Sequence, residues 1–265
     1  MHASMNLATI GHLPMERALA LTAETGFTAA GLSLDAVRAA GGEATARMLR
    51  EHGLTASSIC PSGLFGTWGE SGLAKAVDQT KEALDIAKAI GADTLCVLAG
   101  SFPRDRTDIH LARDFARRGL DIVVPYAKGI GQSIGLEPLH PVYIDFSVIH
   151  TVGEALDWCE HYDIGLFFDI NHVWWDYQLP ALQARAKGRV TGFHVCDWKR
   201  PTNDTIHDRE IPGRGIVDIE AMFRWVREAG YDSAAEIEIF SHEHCRRDAG
   251  DFLRDCRESL RTYGV

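Results

Sequence analysis

Two spacings of apolar residues alternate along the chain. Short runs, apolar on both alternating faces and bounded by Gly, Pro or Asp, occur at 5–10 (MNLATI), 27–34 (FTAAGLSL), 54–60 (LTASSIC) and 93–99 (DTLCVLA). Four more follow at 133–138 (SIGLEP), 163–169 (DIGLFFD), 190–196 (VTGFHVC) and 234–240 (AAEIEIF). Strands of a parallel sheet covered on both sides read this way. Between them the period lengthens. In 72–90, Leu73, Ala76, Val77, Thr80, Ala83, Leu84, Ala87 and Ile90 recur at three- and four-residue steps, and Gly91 supplies a stop. Segments 14–25, 43–52, 108–130, 151–160, 178–187, 218–229 and 248–262 repeat the signal more weakly.

Eight strands alternating with eight helices over this length predict a (β/α)8 TIM barrel. A doubly wound sheet shares the alternation. Against it, no GxGxxG follows the first strand and polar residues gather at many strand ends. No Pro/Gly/Ser linker or composition break divides the chain, so a single domain over 1–265 is expected.

Composition narrows the class of function. Charged residues are 24% and hydrophobic residues 46%, which excludes wholesale disorder and collagen-like repeats. The net charge of −10 disfavours nucleic acid as a partner. No apolar run reaches the roughly 18 residues that span a bilayer, so no membrane partner is expected. The opening MHASMNLATIGHLPMER lacks a basic region followed by an apolar one, and a cytoplasmic enzyme is the expectation. Cys60, Cys96, Cys159, Cys196, Cys245 and Cys256 are scattered singly, as free thiols in a reducing compartment would be, without the clustered spacing of a zinc–thiolate site.

In a barrel of this kind reactive residues belong at the C-terminal ends of the strands. Strand five ends in Glu137 and strand six in Asp169; strand seven carries His194, and strand eight carries Glu236 and Glu238. Unpaired carboxylates in apolar surroundings are costly. Several of them converging with an imidazole on one barrel mouth would repel one another unless a cation sat among them. Oxygen ligands with one imidazole suit a single divalent ion, Mn²⁺ in the first instance, with Mg²⁺, Co²⁺ or Zn²⁺ as alternatives.

The segments GLEPLHP, the Asp169/His172 pair of DINH, HVCDWKRP, IPGRGIVDI at 211–219 and the closing GYDSAAEIEIFS carry a resemblance over essentially the whole chain. The chain resembles the xylose isomerase-like TIM barrels, which include sugar-phosphate isomerases and epimerases, ketose 3-epimerases, inosose dehydratases and endonuclease IV. The resemblance implies one metal held by Glu137, Asp169, His194 and Glu238. Glu238 is preferred to Glu236 because it stands seven residues after Tyr231, where the family's ending puts the ligand.

The implied reaction is enolisation: proton abstraction next to a carbonyl through a metal-stabilised enediolate, with Glu137 and Glu238 as the pair that removes and returns the proton. His172 is expected to hydrogen-bond a substrate oxygen, and Arg200 to match a substrate-contacting arginine of the epimerases. Trp175, with Trp174 and Trp198, would offer aromatic surface to a sugar or a flat aglycone.

Departures from the family bear on specificity. Ketose 3-epimerases continue strand five as EPLN-R-aromatic-E, whereas this chain reads Glu137-Pro138-Leu139-His140-Pro141-Val142-Tyr143. His140 either takes over part of the lost sugar grip or caps the turn. Endonuclease IV needs further histidines at the ends of strands three and four, where this chain has Cys60-Pro61-Ser62 and Leu98-Ala99-Gly100-Ser101. Arg104 and Arg106 are candidates for binding a phosphate or carboxylate. Gly213 and Gly215 form a tight loop beside the site that would suit a lid.

The resulting expectation is a divalent-metal-dependent isomerase or epimerase of a small sugar or keto-sugar. The alternative is a lyase or dehydratase acting by β-elimination on a keto-sugar or 3-keto-glycoside, and the third reading is a non-catalytic sugar-binding subunit. A homo-oligomer, dimer or tetramer, is expected from the family, with a hetero-oligomer as the alternative.

Overall fold

A computed structural model describes residues 1–67, 69–103 and 108–265. Eight parallel strands close into a barrel: β1 (His2–Asn6), β2 (Ala29–Ser33), β3 (Thr55–Gly63), β4 (Thr94–Leu98), β5 (Ile134–Leu136), β6 (Gly165–Asp169), β7 (Val190–Val195) and β8 (Ala234–Ile237). Each strand pairs with its neighbour in sequence, and β1 closes on β8. Every residue of β4, β5, β6 and β8 is buried, as continuous apolar runs enclosed by helices outside and by packed side chains inside should be.

The helical periods form helices close to where their patterns lie, among them Gly69–Ile90, Ile109–Ile130, Val152–Tyr162, Leu179–Ala186, Ile219–Glu228 and Ala249–Thr262. Gly91 does end the first of these: it stands at φ +78°, a conformation that costs glycine little.

The structure corrects the pattern in three places. The first strand is His2–Asn6, not 5–10, because its register against β8 runs from His2↔Ala234 to Met5↔Ile237. Asn6 ends it: its Oδ1 accepts from the Ala8 N–H at 3.0 Å and turns Leu7–Ile10 into a 3₁₀ helix whose Leu7, Thr9 and Ile10 are still buried. Apolarity alone could not separate those two uses. A short helix, Leu34–Ala40, continues directly from β2 where no helix was expected. The last strand stops at Ile237, which leaves Glu238 just beyond it, on the barrel rim. Arg104 and Arg106 lie outside the described residues.

The barrel interior is filled in tiers that lead up to the mouth. Phe167 occupies the middle of it because Gly192 opposite has no side chain; a Cβ there would come within 2.3 Å of the phenyl ring. Two residues further along β6, on the same inward face, stands Asp169. Phe167 makes an edge contact with the His194 ring, centroids 4.5 Å apart, so the apolar filling supports the first polar tier from beneath.

Candidate active site

Register brings the charged residues together. Asp169 pairs with His194 across β6 and β7, and His194 pairs with Glu236 across β7 and β8. All are at most 2% exposed, with Glu137 at 4% and Glu238 at 6%.

Glu236 is the most fully satisfied of the carboxylates. Ser57 donates to its Oε2 at 2.6 Å, while Ser58 at 2.9 Å, Asn6 Nδ2 at 2.8 Å and His194 Nε2 at 3.0 Å all reach Oε1. Two consecutive serines reach one carboxylate because the pairing of β2 and β3 shifts by one residue there, from Ala30↔Ala56 to Gly31↔Ser58. Gly31 leaves room for this carboxylate; a Cβ on it would fall 1.8 Å from Oε1. Burial raises the Glu236 pKa, but His194 and the two serines outweigh it and hold the group below its ordinary value.

The other side of the imidazole is different. His194 Nδ1 has no hydrogen-bond partner among the described residues. It faces Glu238 Oε2 at 3.5 Å, Asp169 Oδ2 at 3.7 Å and Glu137 Oε1 at 3.9 Å. In the neutral imidazole that a bound cation would require, an N–H donated from Nε2 to Glu236 would leave the Nδ1 lone pair aimed at three carboxylates, the arrangement by which a carboxylate orients a metal-ligating histidine. Donor atoms of Glu137, Asp169 and His194 all lie within 4.8 Å of one another. The donor set fits one hard or borderline divalent ion after modest inward movement to bonds of about 2.0–2.2 Å.

The protonation states reflect the crowding. Burial, then the neighbouring Asp169, pushes the Glu137 pKa up to about 8. Burial also works against an ionised Asp169, but His172, His194 and Arg209 overcome it and hold this carboxyl well below the usual range. Burial would strip His194 of its proton, yet Glu238 and Glu236 hold its pKa well above the ordinary value.

One cation in the site was not foreseen. Arg209, 4% exposed, donates from Nη1 to Glu238 Oε2 at 2.6 Å and lies 3.5 Å from Asp169 Oδ2. Its guanidinium covers the Phe240 ring at 4.6 Å. The arginine singled out in the sequence, Arg200, is exposed and does not line the cavity. The apolar pattern starts the first strand at Met5, which hides Asn6, the polar residue at the true strand end. Ser57 and Ser58 were visible only as polar residues inside an apolar strand. Cys60 and Cys96, scattered in sequence, meet beside Glu137, where Cys96 Sγ donates to Oε2 at 3.2 Å.

The remaining expected residues divide. His172 lines the cavity, with Nε2 3.5 Å from Asp169 Oδ2 and its ring edge-on to Tyr143 at 4.8 Å. His140 caps the turn, its Nδ1 accepting from Val142 N–H at 3.2 Å, and its ring packs 5.4 Å from both Trp175 and Trp198. Trp175 donates from Nε1 to the His172 carbonyl at 2.8 Å and so braces the cavity wall without lining it. Gly213 and Gly215 do not form a free lid: both N–H groups bond Asp197 Oδ2 at 2.9 Å, and Val217 N–H bonds its Oδ1 at 3.0 Å. The cavity over the site measures about 220 Å³, and its apolar wall is formed by Leu139, Tyr143, Phe146, Ile206 and Phe240.

Burial lowers the His172 pKa to about 3, against the pull of Asp169, so this imidazole is neutral at neutral pH. An unfolded histidine takes up its proton near pH 6.5. The stability contribution of a neutral His172 is therefore complete above that value and lost as pH falls toward the folded pKa, at up to about 1.4 kcal/mol per pH unit. His172→Gln is expected to flatten the fall in urea-unfolding free energy between about pH 6.5 and 4.5. Parallel pH profiles for the two proteins would contradict a buried neutral imidazole.

The chain belongs to the xylose isomerase-like TIM barrel family, whose model matches residues 19–262. Inosose isomerase from Halalkalibacterium halodurans is 22% identical over 209 residues, covering 74% of this chain and 70% of that protein. Protein SMc04130 from Sinorhizobium meliloti 1021 superposes with a TM-score of 0.94 at 34% identity over 98% of each chain. The IolI protein solved with a zinc atom superposes at 0.83, with 17% identity over 99% of this chain and 98% of that one. D-psicose 3-epimerase from Clostridium cellulolyticum H10 superposes at 0.80, with 14% identity over 100% and 98%. No helix among the described residues is long and apolar enough to cross a membrane.

Proposed function

We propose that this protein is a divalent-metal-dependent isomerase or epimerase of a small sugar or keto-sugar. The observation that carries the reading is the buried, unpartnered His194 Nδ1 facing the oxygens of Glu137, Asp169 and Glu238 at the floor of a cavity. Glu137, Asp169, His194 and Glu238 would hold the ion; Glu236, with its oxygens already taken by Ser57, Ser58, Asn6 and His194, would orient the imidazole. A bound divalent ion supplies Lewis-acid polarisation of a substrate carbonyl, which acidifies the neighbouring C–H. The relatives bearing the names inosose isomerase and D-psicose 3-epimerase support the substrate class, and the zinc-bearing IolI supports the metal.

The chain's own residues supply the rest. Glu137 is the candidate to take the proton from carbon: a cation held beside it would keep it a carboxylate, and Cys96 Sγ–H donates to its Oε2. Glu238 stands at the rim to return one. Neutral His172 can donate to or accept from a substrate hydroxyl, and Arg209 places a fixed positive charge where negative charge develops on oxygen. The cavity is smaller than the roughly 300–1,000 Å³ of pockets for drug-sized ligands and suits a monosaccharide-sized one.

The apolar wall formed by Tyr143, Phe146 and Phe240 favours a second reading, β-elimination from a keto-sugar carrying a flat substituent. Incubation of the metal-loaded protein with a panel of keto-sugars and keto-glycosides in D₂O tests both. Deuterium at the carbon next to the carbonyl with no group released is the expected result. Release of a leaving group would transfer the assignment to a lyase, and neither exchange nor release across the panel, at full metal occupancy, would remove the enzymatic reading.

A further inference from the structure

A second cluster of metal-ligating side chains lies away from the cavity floor, on the loops at its rim. Asp204 and His207 sit in the segment between β7 and Arg209, and His242 sits in the segment after β8. One oxygen, Asp204 Oδ2, lies 3.4 Å from His207 Nδ1 and 3.2 Å from His242 Nε2. Donor atoms of all three residues are within 4.8 Å of one another.

We propose that Asp204, His207 and His242 form a peripheral site for a borderline divalent cation, Zn²⁺ or its analogues Co²⁺ and Ni²⁺, that fastens the two rim loops together. Three features carry this. Bonds of about 2.0–2.1 Å to a tetrahedral ion put neighbouring ligand atoms about 3.3–3.4 Å apart, and the two nitrogen–oxygen separations match that edge before any ion is placed. Two imidazoles and one carboxylate are a donor set such an ion accepts, with the fourth position left to water.

The carboxylate is also oriented in advance. Asp204 Oδ1 accepts from the backbone N–H groups of Ile206 at 2.8 Å and His207 at 3.0 Å, so Oδ2 is the oxygen turned to the imidazoles. The histidine rings are stacked, centroids 4.8 Å apart, which fixes their relative placement.

The position gives an ion something to do. His242 N–H bonds the His207 carbonyl at 2.9 Å and Arg209 N–H bonds the Phe240 carbonyl at 3.0 Å, so the loops already run side by side. Ile206 and Phe240, each next to or near a ligand, line the cavity. A cation across the loops would hold that part of the wall in one place.

The site is independent of the metal proposed on the cavity floor, and the test separates the two. The chelator-treated whole protein is titrated with Co²⁺ while bound ion and visible absorption are followed. Wild type is expected to take up two ions per chain, one with the intense bands of four-coordinate Co²⁺. His242→Ala and His207→Ala should each retain the floor ion and lose those bands, with affinity for the rim ion reduced by at least the roughly 10–100-fold that even losing a ligand's hydrogen-bond partner costs. Asp169→Asn should retain the rim ion. Hydrogen exchange of residues 203–208 should slow on adding Zn²⁺ to wild type and not to His242→Ala. Two ions bound by His242→Ala with wild-type affinity would overturn the proposal, and so would a wild-type protein whose only bound ion is lost in Asp169→Asn. In either case the imidazoles would be hydrogen-bond partners of Asp204 and nothing more.

Discussion

Glu137→Gln is expected to lower turnover on the true substrate by at least the roughly 10²–10⁴-fold that general-base catalysis contributes, and to lower bound divalent ion at the cavity floor as well. The substitution keeps the size of the side chain. It removes the negative charge from the oxygen facing His194 Nδ1 and from the one that accepts from Cys96. Amide and acid also differ in the step proposed for this residue, since only a carboxylate can take a proton from carbon near neutral pH. Glu236→Gln is the control: its carboxylate is engaged by Ser57, Ser58, Asn6 and His194 and stands on the other side of the imidazole, so its loss should disturb histidine orientation while leaving an ion bound. Metal analysis and deuterium exchange on the two variants decide the matter. Full metal content and full turnover in Glu137→Gln would exclude it from both roles.

Arg209→Met is expected to destabilise the metal-free protein by about 3–5 kcal/mol, the usual consequence of removing one partner from a buried ion pair. Glu238 and Asp169 then face each other and Glu137 with one cationic side chain fewer among them. At a fixed ion concentration one hundred times the wild-type Kd, binding contributes about 2.7 kcal/mol to wild type. The variant should bind the ion more tightly than wild type, because Glu238 Oε2 is no longer shared with the guanidinium. Urea unfolding with and without Mn²⁺ or Zn²⁺ gives both quantities. Equal metal-free stability of variant and wild type would show that Arg209 does not neutralise these carboxylates, and equal metal-induced gains would show that it does not compete for Glu238.

The barrel was legible because its physics is repetitive: a parallel strand enclosed on both faces leaves a short apolar run, an outer helix leaves a three-to-four period, and the alternation leaves few topologies. Glu137, Asp169, His194 and the pair Glu236 and Glu238 stand out as candidates because charge inside such runs, at their C-terminal ends, is expensive unless something compensates it; the preference for Glu238 rests on the family resemblance. Glu236 and Glu238 share a face and a strand, so their separation into an orienting group and a rim group depended on what stands opposite them.

Local sequence determined where the strands and helices form, and that acidic groups and an imidazole collect at one end of the barrel. Only the closed structure decided which groups neutralise them, because those partners come from distant segments. Asn6 arrives from β1, the paired serines from a register shift in β3 made workable by Gly31, Cys96 from β4, and Arg209 from a two-residue strand paired antiparallel with Asp197–Trp198, while the more obvious Arg200 turns to solvent. Hydrogen bonds and ion pairs at this range depend on register and on vacant volume, and neither leaves a periodic trace along the chain.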